Sequence, residues 1–177
     1  MTITADLRAQ IRQSANFACE FCGVTEIDVG GQLTIDHYQP KTKGGDDRFE
    51  NLLYCCARCN QYKMDYWPVQ PGDLFLWHPR QEPFSQHFLV LEDGTLSPLT
   101  PTGALTMRCL RLNRPPLVAH RFRQQQREQE IRLLHRHLEI VELLKQLQQQ
   151  TTTLMVEQQA LLEEQRELLR LLLNQEV

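Results

Sequence analysis

Apolar positions at Leu7, Ile11 and Ala15 recur at helical spacing and predict a helix over residues 5–15, with Thr4 placed to cap it. The rhythm then changes. After the Gly30-Gly31 turn, Leu33-Thr34-Ile35-Asp36-His37 alternates apolar and polar, as a half-buried strand does. Residues 38–50 are rich in turn formers and charge, which predicts a loop. Asn51-Leu52-Leu53-Tyr54-Cys55 reads as a second strand, and a short helix is expected from near Asn60 to before Pro68. Farther on, His87–Leu91 and Thr95–Ser97 flank Glu92-Asp93-Gly94, a hairpin signal. Thr102–Leu112 reads as a helix, and Pro115-Pro116 opens another, where proline is tolerated in the first turn.

From Leu117 onward the chain lacks both Gly and Pro. Apolar pairs return every seven residues at Leu133/Leu134, Ile140/Val141, Leu154/Met155, Leu161/Leu162 and Leu168/Leu169. Leu147 stands alone at the missing step, with Leu144 and Leu172 at the alternate position. This is a coiled-coil seam on a long helix, or on a helical pair broken near Thr151-Thr152-Thr153. It predicts a homo-oligomer through residues 130–173, or a helical partner protein. The expected organisation is a core over 1–68, a hairpin-and-helix extension over 69–115, and a helical tail over 116–177.

Composition narrows the class. In 177 residues, 41% are hydrophobic and 23% charged, as in folded soluble proteins, and no apolar run is long enough for a membrane span. The N-terminal stretch has no secretory pattern, so a cytoplasmic location is the default expectation. Six cysteines in a reducing compartment point to metal ligands or thiols rather than disulfides. Cys19-x2-Cys22 and Cys56-x2-Cys59 are two knuckles, and together they make a tetrahedral structural Zn2+ site. Cys55 and Cys59, with three residues between them, are a second register; Cys56 is preferred, which leaves Cys55 and Cys109 to packing.

Between the knuckles lies a set of residues suited to phosphodiester hydrolysis. His37 supplies an imidazole, the side chain suited by its chemistry to act as a general base near neutrality. Asp36 and the Asn60 carbonyl offer oxygens to a hard divalent cation, and Asn51 can hold the loop and the imidazole by hydrogen bonds. Neighbouring strand residues face opposite ways, so Asp36 and His37 share a site only where the strand ends or bends.

Cys19-x2-Cys22, Ile35-Asp36-His37, Pro40, Gly44-Gly45, Asn51-Leu52-Leu53 and Cys56-x2-Cys59-Asn60-x2-Lys63 together resemble the HNH endonucleases with a ββα-metal core. The resemblance covers about residues 15–66. It implies an α+β fold of strand, loop, strand and helix braced by zinc. It also implies His37 as the water-activating base, Asn51 as the middle asparagine of the motif, and Asp36 with Asn60 as holders of the catalytic metal. Asn rather than His at position 60 favours Mg2+ or Mn2+ over an imidazole-seeking ion. Leu110-Arg111-Leu112-Asn113-Arg114-Pro115 is similar to the tail of small bacterial members, with no role attached to it.

The formal net charge of −3 argues against a broadly basic coat but hides strong local differences. Residues 108–136 carry +6, between segments of −5 and −4. Arg108, Arg111, Arg114, Arg121 and Arg123, with Lys41, Lys43, Arg58 and Lys63 nearer the loop, are therefore the expected contacts to DNA phosphates. The competing class is a non-catalytic zinc-containing adaptor that binds nucleic acid or a partner through its coiled coil.

Overall fold

The computed structural model describes residues 3–173, with side chains through residue 171. It forms two compact units, Met1–Gln126 and Arg127–Val177.

The first unit opens with α1 (Ala5–Ser14), whose Thr4 hydroxyl accepts the Leu7 N–H at 3.3 Å, the expected N-cap. A short helix, α2 (Glu26–Val29), follows the first knuckle and ends on left-handed Gly30. Strands β1 (Thr34–His37) and β2 (Leu52–Cys55) pair antiparallel, with Asp36 opposite Leu53 and His37 opposite Leu52. Helix α3 (Ala57–Lys63) packs on β1 and completes a ββα unit in an α+β fold. It starts three residues before the expected Asn60. Its first turn is nucleated by Cys56, whose Sγ accepts the Cys59 N–H, a side-chain cap that a thiol does not advertise in sequence.

All four residues of β2 are buried, which explains why they read as a continuous apolar run rather than an alternation. They join one core that also takes in Ile11, Phe21, Leu33, Trp77, Phe88, Leu96, Leu110, Leu112 and Leu117. The segment after the ββα unit therefore shares its core. Trp77 sits at the junction, edge-on to Phe21, Phe84 and Phe88. That segment contains α4 (Phe84–His87), the antiparallel hairpin β3 (Phe88–Val90) and β4 (Leu96–Pro98), and α5 (Pro101–Cys109). Helix α5 stops before the expected Leu112, because Arg111 adopts φ 49° and turns the chain. Gly103 lets α5 close on α4: a Cβ there would lie 2.4 Å from the His87 carbonyl oxygen.

Helix α6 (Pro115–Leu173) is unbroken at Thr151-Thr152-Thr153. Each threonine hydroxyl donates to the carbonyl four residues back, at 2.8 to 3.1 Å, so the hydroxyls are satisfied inside the helix. In the second unit every described side chain is exposed, including the seam residues Leu133, Ile140, Leu154, Leu161 and Leu168. Leu172 lies outside the described side chains. No described helix is long and apolar enough to cross a membrane.

Candidate metal centre and catalytic loop

Both knuckles are built by backbone hydrogen bonds. In the first, the Gly23 N–H donates to the Cys19 carbonyl and the Cys19 N–H to the Val24 carbonyl, each at 2.8 Å. In the second, the cap of α3 turns Cys56 and Cys59 to one side. The sulfurs of Cys19, Cys22, Cys56 and Cys59 all lie within 4.8 Å of one another, and Cys22 and Cys56 are 3.8 Å apart. Tetrahedral zinc with bonds of about 2.3 Å needs sulfurs about 3.8 Å apart, so the cluster fits zinc. Sulfurs this close also compete for protons. Hydrogen bonding, chiefly from Cys19, pulls the Cys59 thiol well below its ordinary value, toward the thiolate a metal requires. Cys55 is fully buried and outside the four-sulfur group, and Cys109 is half-buried on α5.

The catalytic residues predicted from sequence occupy the end of β1, the loop and α3. Asp36 turns toward α3, where its Oδ2 stands 3.2 Å from Lys63 Nζ. That ammonium donates to the His37 carbonyl oxygen at 2.7 Å, and Asp36 Oδ2, though buried, receives no hydrogen bond. Burial pushes the Asp36 carboxyl upward, against the opposing pull of Lys63. Asn60 lies one turn before Lys63 on α3 and on the same helix face.

The His37 ring turns instead to the loop, with Nε2 2.7 Å from Asp47 Oδ1. Asp47 also accepts from Lys41 Nζ at 2.8 Å, and Lys41 and His37 together hold its carboxyl down at about 2. An anionic partner at Nε2 requires the proton there, so Nδ1 is the acceptor of the neutral ring. Asn51 pins both arms of the loop. Its Oδ1 accepts the Gln39 N–H at 2.7 Å, and its Nδ2 donates to the Gln39 and Asp46 carbonyls at 3.1 and 2.8 Å. It thus holds the loop as expected, but the imidazole is held by Asp47. Gly45 makes the fold-back possible, since a Cβ there would fall 1.8 Å from the Gln39 carbonyl oxygen.

Arg80, outside the sequence-predicted set, anchors this loop from below. Its guanidinium donates to both carboxylate oxygens of Glu20 at 2.5 and 2.9 Å, and to the Phe49 and Leu52 carbonyls at 2.8 Å each.

Two of the expected phosphate contacts, Lys63 and Arg121, are corrected, and a third, Arg114, is half-buried and partly engaged within the fold. Lys63 is 1% exposed and committed to β1, so it faces the interior rather than a substrate. Arg121 is buried against the Gly94 and Leu112 carbonyls and the Asn113 side chain. Arg114 is engaged with Leu110 O and the cysteine sulfurs. Charge in a sequence does not reveal which cations the fold spends on carbonyls. Lys43, Arg58, Arg108, Arg111 and Arg123 are exposed, and Lys41 is exposed while paired to Asp47. Arg58, Arg123 and the edge of Arg114 line one basic cleft of about 820 Å³ with Tyr62 and His120.

A ββα unit with a four-cysteine cluster that fits zinc defines a small α+β domain. Residues 19–65 match the family model for HNH endonuclease, a match that points to a nuclease-type function. No curated protein and no solved structure matches the chain.

Proposed function

We propose that the protein is a metal-dependent endonuclease that hydrolyses phosphodiester bonds in DNA. His37 is the general base, and Asp36 and Asn60 hold the catalytic Mg2+ or Mn2+. The observation that carries this reading is the His37–Asp47 contact at 2.7 Å, which fixes the tautomer a base needs. The Asp36 carboxylate, with Oδ2 3.2 Å from the Lys63 ammonium, is an oxygen ligand of the kind a hard cation takes.

In this mechanism His37 Nδ1 takes a proton from water as the water oxygen attacks phosphorus and the bond to the leaving oxygen breaks. Asp47 holds the ring and offsets the imidazolium that forms. A bound divalent cation supplies charge neutralisation at the scissile phosphate and the leaving oxygen. Asn51 keeps the loop, and with it Asp47, in register with β1. Lys43, Arg58, Arg108, Arg111 and Arg123 are the exposed cations offered to phosphates.

The exposed seam of the second unit supports self-association through residues 130–173, or docking of a helical partner. A dimer so formed would present two nuclease sites and convert paired nicks into a double-strand break. Plasmid cleavage titrated with Mg2+ tests the metal assignment. Asp36→Ala and Asn60→Ala should lose cleavage or need far more metal, and cutting that persists in chelator would sink it.

A further inference from the structure

The segment Leu110–Pro115, of which the proposed chemistry uses only the Arg111 guanidinium, is anchored to the rest of the first unit along its length. Leu110 and Leu112 are fully buried in the core. Asn113 closes on the hairpin, accepting the Leu96 N–H and donating to the Leu96 carbonyl, both at 2.8 Å. Arg111 takes a left-handed backbone conformation and lays its guanidinium 4.7 Å from the centre of the Tyr62 ring on α3. Between these anchors, Arg114 reaches the metal centre. Its Nη2 lies 3.5 Å from Cys59 Sγ and 3.9 Å from Cys56 Sγ, while its Nη1 donates to the Leu110 carbonyl at 2.9 Å and the Arg111 carbonyl at 3.3 Å.

We infer that Leu110–Pro115 is a latch on the zinc centre, with Arg114 as its outer-sphere donor to the Cys56 and Cys59 thiolates. The chemistry favours this assignment. Four thiolates around a divalent zinc leave a net charge of about −2, and buried negative charge needs a cation or hydrogen bonds nearby. Arg114 supplies both from one planar group, a geometry that a lysine ammonium does not reproduce. Its other nitrogen takes up carbonyls at the end of α5. The same side chain therefore ties the metal centre to the turn from which α6 starts. Zinc bound by the N-terminal knuckles thus holds in place a segment more than fifty residues downstream of Cys59.

The inference rests on the four cysteines binding zinc, and elemental analysis of the purified full chain tests that premise first. Less than one zinc per chain would reject the premise itself. With zinc present, its release into excess chelator is followed with a colorimetric reporter for wild type, Arg114→Gln, Arg114→Lys and Arg111→Gln. Arg114→Gln should release zinc about 10- to 100-fold faster, as outer-sphere substitutions do, with Arg114→Lys between it and wild type. Arg111→Gln, which loses the ring contact but no contact to sulfur, should release zinc within about threefold of wild type. The cobalt-substituted protein adds a readout that packing alone would not move: losing an N–H donor to sulfur should shift the thiolate-to-cobalt charge-transfer band in the Arg114 variants. If Arg114→Gln does not fold, Arg114→Lys carries the comparison. Release within twofold of wild type and an unmoved band in a folded Arg114 variant overturn the latch.

Discussion

Replacing Arg80 by Ala should destabilise the first unit through one nearly buried ion pair. The Arg80 side chain is 19% exposed and that of Glu20 10%. The substitution strips two charge-assisted bonds from the Glu20 carboxylate and one each from the Phe49 and Leu52 carbonyls. It also removes the guanidinium from the face of the Phe49 ring, 4.4 Å away. Breaking a buried pair from one side costs about 3 to 5 kcal/mol, because the remaining charge stays buried. Glu20 keeps a 2.6 Å bond from the Tyr54 N–H, and Arg80 is one-fifth exposed, so the lower end applies. The expected loss is about 3 kcal/mol, which for a unit of this size lowers Tm by about 10 °C. Thermal and denaturant unfolding of the full chain at fixed free zinc should show it, since metal binding itself shifts apparent stability. A double-mutant cycle with Glu20→Gln isolates the pair and should give a coupling above about 1 kcal/mol. A single variant within 0.5 kcal/mol of wild type, or a coupling near zero, would refute the reasoning.

Asp47→Asn should lower kcat about 100-fold with little change in KM, because the ring loses its fixed tautomer while the DNA-facing cations remain. Steady-state plasmid nicking reads this, and an equal loss in KM would assign Asp47 to binding instead. Arg12 holds the Glu26 carboxyl at about 2, with help from the Tyr54 hydroxyl. A depressed acid stabilises the fold above its unfolded value near 4.5, and that contribution is lost as pH falls toward 2. Glu26→Gln should therefore flatten the acid limb of a stability-versus-pH curve across that window; an unchanged slope would remove Glu26 from the account. In the second unit, Leu161→Asp with Leu168→Asp should convert any self-associated species to monomer by sedimentation, and an unchanged sedimentation profile of an associated wild type would move the interface elsewhere.

The parts of the fold set by local spacing were legible in the chain. The two Cys-x2-Cys knuckles, the strand ending in Asp36-His37 and the Glu92-Asp93-Gly94 hairpin depend on neighbours within a few residues. What escaped depends on partners far apart in sequence. Asp47 lies ten residues after His37 in a charged loop, and only the fold-back at Gly45 brings it to the ring. Arg80 meets Glu20 across sixty residues. Lys63, Arg114 and Arg121 look like any other cations of a basic run, yet the fold directs them to carbonyls, a carboxylate and sulfurs. Arg111 has no sequence mark of its positive φ, so the helix expected from the spacing runs about three residues past the end of α5.

In the proposed reaction His37, oriented by Asp47, activates water for cutting DNA. Supercoiled plasmid incubated with the full-length zinc-loaded protein and Mg2+ or Mn2+ tests it most directly when wild type is compared with His37→Ala. Wild type should give nicked or linear product that depends on the added metal, and His37→Ala should lose about 100-fold or more of that activity. Equal cutting by the two proteins, or no metal-dependent cutting by wild type, would contradict it.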